Sequence, residues 1–333
     1  MTANPFSDSQ YADAHRQLQD LRTLLDQAIV GQSELVTHLV TAVFAGGHVL
    51  IEGLPGLGKT HLAKAIAAAL GLRWARVQCT PDLMPADVTG AEIYVTTAGG
   101  ASSFEFRPGP VFAQLVLVDE INRATPRTQA ALLEAMQERQ VTNAGVSHPL
   151  PIPFCVLATQ NPIELEGTYP LPEAQLDRFM FKLTVPFPTR ESLRGMLDVS
   201  LDAEPSDTMQ AIAGPDDVLR ISELCRTLLL GERCKEAAVD LIVSTQPAVG
   251  GDPADARRHI RYGASPRALQ SLVRAARVRA LMAGRTHVDI DDLAAIALPV
   301  LRHRVLLRLE SELDGLEVDS TLASIIDGWR LRL

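Results

Sequence analysis

A chain of 333 residues, 47% hydrophobic and 21% charged, carries too much apolar material for a disordered polymer and enough length for roughly two domains, each with its own core. Its formal charge of -9 argues against a constitutive nucleic-acid binder, which carries a basic face or stripe. No apolar run reaches the length of a membrane span, and the first residues lack the basic and apolar regions of a secretory signal, so a cytoplasmic protein without direct membrane insertion is expected. Cys79, Cys155, Cys225 and Cys234 show no C-x-x-C spacing and read as reduced, buried small hydrophobes.

Leu18, Leu21, Leu24 and Leu25 recur at helical spacing and predict an amphipathic lead-in helix within residues 1–28. From 29 to 188 short β-rich runs alternate with helical stretches, which predicts an α/β domain with a parallel sheet flanked by helices. The predicted strands are 48–52, 74–78, 115–119, 154–159 and 179–184.

Directly after the first strand stands Gly-Leu-Pro-Gly-Leu-Gly-Lys-Thr at 53–60, the G-x-x-x-x-G-K-[ST] template with the strand before it and the helix after it that the motif demands. The glycines let successive backbone N–H groups turn inward around phosphates, Lys59 reaches the β and γ phosphates, and the Thr60 hydroxyl sits on Mg²⁺. Gly53, Pro55, Gly56, Leu57, Gly58, Lys59, Thr60 and His61 are therefore the candidate residues for a nucleoside triphosphate. The helix opening near Gly58 adds the positive end of its dipole.

Further along, residues 92–96 and 103–107 flank Ala-Gly-Gly-Ala at 98–101. Ile93 and Val95 are expected to pair with Phe104 and Phe106 in a hairpin inserted at 91–107. The apolar strand 115–119 ends in Asp119 and Glu120. Asp119 can hold Mg²⁺ through its water shell, and Glu120 can orient or deprotonate the attacking water. Without the phosphate motif upstream, the same pair would read as a solvated acidic turn. Asn161 follows the strand 154–159, placed either to hydrogen-bond the γ-phosphate or lytic water, or to start the turn before Pro162. Arg178, just before the last strand, reads as an ion-pair partner of Asp177 or Glu173, or as an arginine offered to a neighbouring subunit's nucleotide.

Past Pro186 and Pro188 the composition turns helical, predicting a smaller all-α domain over 189–333. Its helices are expected at 191–201, 216–230, 235–244, 266–283 and 289–307, with N-caps at Thr189 and Ser265, a stop at Gly284 and a loop over 246–263. Arg267, in the first turn of the fourth helix, could close over the phosphates from that domain.

In this order and at these separations, the motifs resemble the AAA+ ATPases. Residues 53–60 resemble Walker A, 115–120 Walker B, Asn161 sensor 1, Arg178 the arginine finger and Arg267 sensor 2. Ile-Val-Gly-Gln at 29–32, with Val30 and Gly31, resembles the stretch that packs against adenine. Longer strings are similar to the MoxR family: Gln-Cys-Thr-Pro-Asp-Leu-Met-Pro-Ala-Asp-Val-Thr-Gly at 78–90, Pro-Gly-Pro-Val-Phe at 108–112, Asp-Glu-Ile-Asn-Arg-Ala at 119–124, Gln-Ala-Ala-Leu-Leu-Glu-Ala-Met-Gln-Glu at 129–138, Thr-Gln-Asn-Pro-Ile-Glu at 159–164, and the run 167–179 ending in Leu-Asp-Arg-Phe. The likeness is dense from about 29 to 185, thinner through the helical domain, and without departure at the nucleotide positions. Residues 1–28 and the tail after about 307 resemble nothing nameable.

The resemblance implies a P-loop AAA+ sheet core with an inserted hairpin near a pore and a helical lid. It also implies Mg²⁺-dependent ATP hydrolysis driving chaperone-like remodelling or maturation of a protein client. The expected partners are further copies of the chain, in a hexameric ring with nucleotide between subunits, and a von Willebrand factor A-domain protein. In such a ring Lys59, Thr60, Asp119, Glu120 and Asn161 act from one subunit and Arg178 from the next. A nucleic-acid motor, disfavoured by the acidic balance, a magnesium-chelatase-like insertion subunit and a nucleotide-state switch stay open as alternatives.

Overall fold

The computed structural model describes residues 6–54, 56–96, 102–163, 167–198, 209–248 and 255–333. In chain order the strands of the first part are β1 (Val49–Glu52), β2 (Trp74–Gln78), the ribbon β3 (Gly90–Thr96) and β4 (Ser102–Pro108), β5 (Leu115–Asp119), the ribbon β6 (Gln140–Asn143) and β7 (Val146–Pro149), β8 (Cys155–Gln160) and β9 (Phe181–Thr184). Five of them form one parallel sheet in the order β2-β5-β8-β1-β9. Leu115, Val116, Leu117 and Val118 are all fully buried, as a strand covered by helices on both faces requires. Since every strand runs the same way, the segments leaving β1, β5 and β8 gather at one carboxyl edge.

The strands predicted at 74–78 and 115–119 form with those bounds, and 154–159 is shifted by one residue. The last strand starts at Phe181 rather than 179. The Phe179 amide closes a helical turn on Leu176 O (3.0 Å), and the Met180 amide donates to His48 O (2.7 Å), before the ladder with β1 begins.

The inserted hairpin is present, but its partners are one residue away from those expected. Ile93 faces Glu105, Val95 faces Ser103 and Tyr94 faces Phe104. Gly90 opposite Pro108 closes the base of this ribbon, where a Cβ on Gly90 would lie 2.3 Å from Arg107 O. Phe106, near the base, packs on Phe112 and stacks on His148, while Ile93, Tyr94 and Phe104 are exposed, so no buried face selects the pairing of Ile93 with Phe104. The predicted turn at 98–101 lies outside the described residues. The β6–β7 ribbon was not expected; Ala144 and Gly145 turn it, both at positive φ.

The helices of the first part are α1 (Asp8–Ala28), α2 (Ser33–Ala45), α3 (Lys59–Ala69), α4 (Pro85–Thr89), α5 (Pro126–Glu138), α6 (Glu173–Leu176) and α7 (Arg190–Asp198). The lid follows with Pro215–Thr227, Glu232–Ser244, Pro266–Met282, Ile290–Leu301 and Val318–Arg330. Ser265 caps the third of these by accepting from the Arg267 amide, and Gly284 at φ 73 follows its end. The expected helix 289–307 stops at Leu301, because Leu306–Leu307 pairs with Ile260–Tyr262 as a short ribbon within the lid. That ribbon also replaces the end of the predicted 246–263 loop. The part of the predicted helix 191–201 beyond 198 lies outside the described residues.

Along α1, Tyr11, Ala14, Leu18, Leu21 and Leu25 form a buried stripe, with Leu24 half-buried. This stripe belongs to one continuous apolar cluster that runs through α2, α3 and the lid. Among the described residues, four hydrogen bonds fasten α1 to the lid: Tyr11 Oη to Thr227 Oγ1 (2.6 Å), His15 Nδ1 to Leu281 O (3.0 Å), Arg220 Nη2 to Gln17 Oε1 (2.6 Å) and Gln19 Nε2 to Met282 O (2.6 Å). The lid is also locked to the sheet. Buried Arg304 donates to the Asp177 carboxylate (2.7 Å) and to the carbonyls of Phe179 (2.6 Å) and Met180 (3.1 Å).

A buried histidine at the start of β1 makes the fold sensitive to acid. His48 Nδ1 accepts from the Val156 amide (3.0 Å), so its proton sits on Nε2, which donates to Met136 O (3.2 Å). Protonating Nδ1 would set two N–H groups against each other, and burial pushes this imidazole down to about 4. Burial lowers His38 and His303 as well. The unfolded chain takes up these protons near the usual 6.5 and the folded chain does not, so stability is full above that value and drains away as pH falls towards about 4. For His48 alone that shift corresponds to about 3 kcal/mol. The thermal midpoint should fall between about pH 7 and pH 5, and fall less in His48→Gln; a midpoint that stays level over that window would contradict the assignment.

Candidate active site

At the end of β1 the chain turns through Gly53, whose amide donates to Gln160 O (3.3 Å), and through Gly56 and Gly58 at φ 81 and 77. A Cβ at Gly56 or Gly58 would meet nothing within 4 Å, so glycine is demanded by the left-handed backbone and not by crowding. Gly58 caps α3, whose first amides lack intrahelical acceptors and offer an anion site. Thr60 and His61 stand half-buried on its first turn, and Gln32 Nε2 ties Leu57 O to the start of α2 (3.3 Å). Pro55 lies outside the described residues.

The Lys59 ammonium donates to Gly53 O (2.7 Å). Burial lowers its pKa, while Asp119 and Glu120 hold it up, which sets all three charged groups in one small volume. Asp119 is buried at the tip of β5, where Arg76 Nε donates to one carboxylate oxygen (2.7 Å) and Thr159 Oγ1 to the other (3.3 Å). Glu120 occupies the left-handed region at φ 56, rare for a side chain of its kind. Its amide is held by Thr159 Oγ1 (2.9 Å), and its Oε2 accepts from Gln78 (3.0 Å) and Arg123 (3.3 Å). Asn161 is buried beyond the tip of β8, with Oδ1 accepting from the Ile163 amide (3.2 Å). The turn-forming role is thus present at Asn161.

Arg76, Gln78, Thr159 and Arg123 were not foreseen. Arg76 and Gln78 are two apart on β2 and share a face, but their meeting with Asp119 and Glu120 respectively depends on β2 lying next to β5, an adjacency no local pattern announces.

Beside the loop lies a cavity of about 570 Å³, lined by Gly31, Leu35, His38, Val185, Leu298 and Pro299 among others. It adjoins the cradle through Val185, whose Cβ stands 3.0 Å from a Cβ built on Gly53. Val30 packs on α7, its Cγ1 3.0 Å from a Cβ built on Gly195.

Arg178 and Arg267 are elsewhere. Arg178 precedes β9 and lies next to His48, at the amino edge of the sheet, with β1 between it and the cradle, a span of about 13 Å for a four-residue strand. Its expected ion pair is not formed: Asp177 is taken by Arg304, Ser265 (2.9 Å) and Arg267 (3.7 Å), and Arg178 Nε is buried without a partner. Arg267 shares the cleft of Arg178. Within this protomer the docked lid places it at the amino edge of the sheet, away from the phosphate loop of the same subunit.

A glycine cradle on β1, a carboxylate pair on β5 across β8, and a helical lid together define an ATPase of the AAA+ class. Residues 48–181 match the ATPase family associated with various cellular activities (AAA), and 253–325 match the AAA lid domain. The chain is 38% identical to the uncharacterized protein YeaC of Bacillus subtilis, covering 94% of this chain and 96% of that protein. It is 39% identical to Chaperone MoxR1 of Mycobacterium tuberculosis (90% and 78% covered) and 35% identical to Protein MoxR of Paracoccus denitrificans (90% and 91% covered). A crystal structure of a candidate ATPase from Cytophaga hutchinsonii superposes with a TM-score of 0.86 at 35% identity, over 96% of both chains. The chain belongs to the MoxR family of AAA+ ATPases.

Proposed function

We propose that Mg²⁺-dependent ATP hydrolysis by this protein drives chaperone-like remodelling of a protein client in the cytoplasm, in a hexameric ring with nucleotide between subunits and a von Willebrand factor A-domain protein as partner. The observation that carries the catalytic part is the Lys59 ammonium, set between the glycine cradle and the two carboxylates after β5. The name of the Mycobacterium relative, Chaperone MoxR1, supports the remodelling role.

On binding, Lys59 exchanges the Gly53 carbonyl for β and γ phosphate oxygens, and the amides from Gly56 to His61 surround the rest of the chain of phosphates. Val30, Gly31 and the neighbouring cavity take the base. The Thr60 hydroxyl and the Asp119 carboxylate are hard oxygen donors suited to Mg²⁺, which when bound offsets the charge of the β and γ phosphates. Glu120 accepts the proton of the attacking water. Asn161, with Oδ1 engaged in its turn, meets the γ-phosphate or that water through its Nδ2 hydrogens. Arg178 and Arg267 lie on the face that would meet the nucleotide of an adjoining copy.

Lys59→Ala should weaken ATP binding by roughly 10–100-fold, the about 1.5–3 kcal/mol of a hydrogen bond to a charged group. Calorimetry with Mg²⁺ present reads this directly. Folded native protein that takes up no ATP would end the proposal.

A further inference from the structure

β2 is an edge strand of the parallel sheet, with β5 as its neighbour. Along it Trp74, Arg76 and Gln78 are exposed and share one face, while Val77, between the last two, is buried on the other. In the register of the pair Arg76 lies beside Leu117 and Gln78 beside Asp119, so the long Arg76 side chain runs forward by two residues to reach the carboxylate at the tip of β5. Its Nε donates to Asp119 Oδ2 (2.7 Å), and its Nη2 donates to Gln78 Oε1 (2.9 Å). The other Asp119 oxygen accepts from a neutral hydroxyl, that of Thr159 (3.3 Å). Lys59 spends its ammonium on Gly53 O, which leaves Arg76 as the ion-pair partner of Asp119 among the described residues.

The two members of this pair are unequally fixed. The Asp119 side chain is 10% exposed and braced by Thr159, whereas that of Arg76 is 48% exposed. A carboxylate so nearly out of water needs a positive charge beside it, and a guanidinium does not lose its own by giving up a proton. Arg76 can swing into solvent on its long stem, while Asp119 stays at the buried end of its strand.

We infer that Arg76 is a placeholder cation, which neutralises Asp119 in the nucleotide-free protein and which Mg²⁺ must evict on arriving with the nucleotide. The inference rests on the reading of Asp119 as a metal-holding carboxylate. Two cations drawn to one carboxylate repel each other, so each weakens the other's hold. Eviction also breaks the contact between Arg76 and Gln78, which adds to the cost. Without metal, the same guanidinium screens the phosphates from the Asp119 charge. Both effects act in one direction: they narrow the preference of the site for metal-loaded over metal-free nucleotide. A residue on an edge strand, outside the phosphate loop, thereby sets how strongly nucleotide binding depends on metal.

The test is calorimetric titration of β,γ-methylene-ATP, which is not hydrolysed at that bond, into the full-length native, Arg76→Met and Arg76→Lys proteins, first in EDTA and then in saturating Mg²⁺. The ratio of the two affinities is the quantity read. Arg76→Met keeps the length of the side chain and removes its charge and donors, so the ratio should rise by about three- to tenfold, the scale of a half-exposed charged hydrogen bond. Arg76→Lys keeps the charge and should stay within about twofold of the native ratio. If Arg76 served merely to hold Asp119 in place for the metal, Arg76→Met would lower the ratio. A lowered or unchanged ratio in Arg76→Met, or one raised equally in Arg76→Lys, overturns the inference. Should Arg76→Met unfold the chain, Arg76→Gln takes its place with the same expected direction. Native protein that takes up no nucleotide defeats the ATPase reading itself; native protein that binds with metal, beside an Arg76→Met ratio that does not rise, defeats this inference alone.

Discussion

Glu120→Gln should cut ATP turnover by about 10²–10⁴-fold, the contribution of a positioned general base, while ATP affinity stays within about twofold of the native protein. The substitution keeps the length of the side chain and one oxygen to accept from Gln78 and Arg123, but removes the basic lone pair. The Lys59 cradle does not depend on it, since Lys59 reaches Gly53 O directly. The left-handed backbone at 120 also survives, held by Thr159 through the amide. Phosphate release under saturating ATP, set beside calorimetric affinity, separates the two quantities. Turnover at the native rate would assign the base elsewhere.

Arg178→Ala should lose about 10³-fold or more in turnover, as expected when an arginine serving transition-state charge is removed, again with binding preserved. Its Nε is buried without a hydrogen-bond partner among the described residues, so the thermal midpoint should hardly move. Arg178→Lys should not restore activity, because an ammonium lacks the planar fork that grips two phosphate oxygens. Native turnover in Arg178→Ala would remove the finger assignment. A loss of turnover accompanied by a large drop in midpoint would instead assign Arg178 to the packing of the amino edge.

Much of the core is legible from the chain alone, for a physical reason. A parallel strand buried on both faces must be an unbroken apolar run, and Leu115 to Val118 is one; the motif at 53–60 is contiguous, so its geometry is local. What escapes a linear reading depends on partners far apart in number. Thr159 bridges Asp119 and Glu120 only because β5 lies against β8. The ribbon register of Ile93 and Val95 is set by its closed base and not by its apolar residues. Where Arg267 stands is likewise decided by docking of the lid, which sets it against Asp177 (3.7 Å).

The fastening of α1 has a mechanical corollary. Its apolar stripe is shared between core and lid, its polar side chains grip Leu281, Met282 and Thr227, and Arg304 bolts the lid to the sheet from the other side. A hinge opening between the two parts would wet that common interior and strand a guanidinium, so the protomer is stiff about this joint. In the proposed ring, strain generated at the γ-phosphate would then pass to the protomer's outer contacts instead of being absorbed as internal flexing.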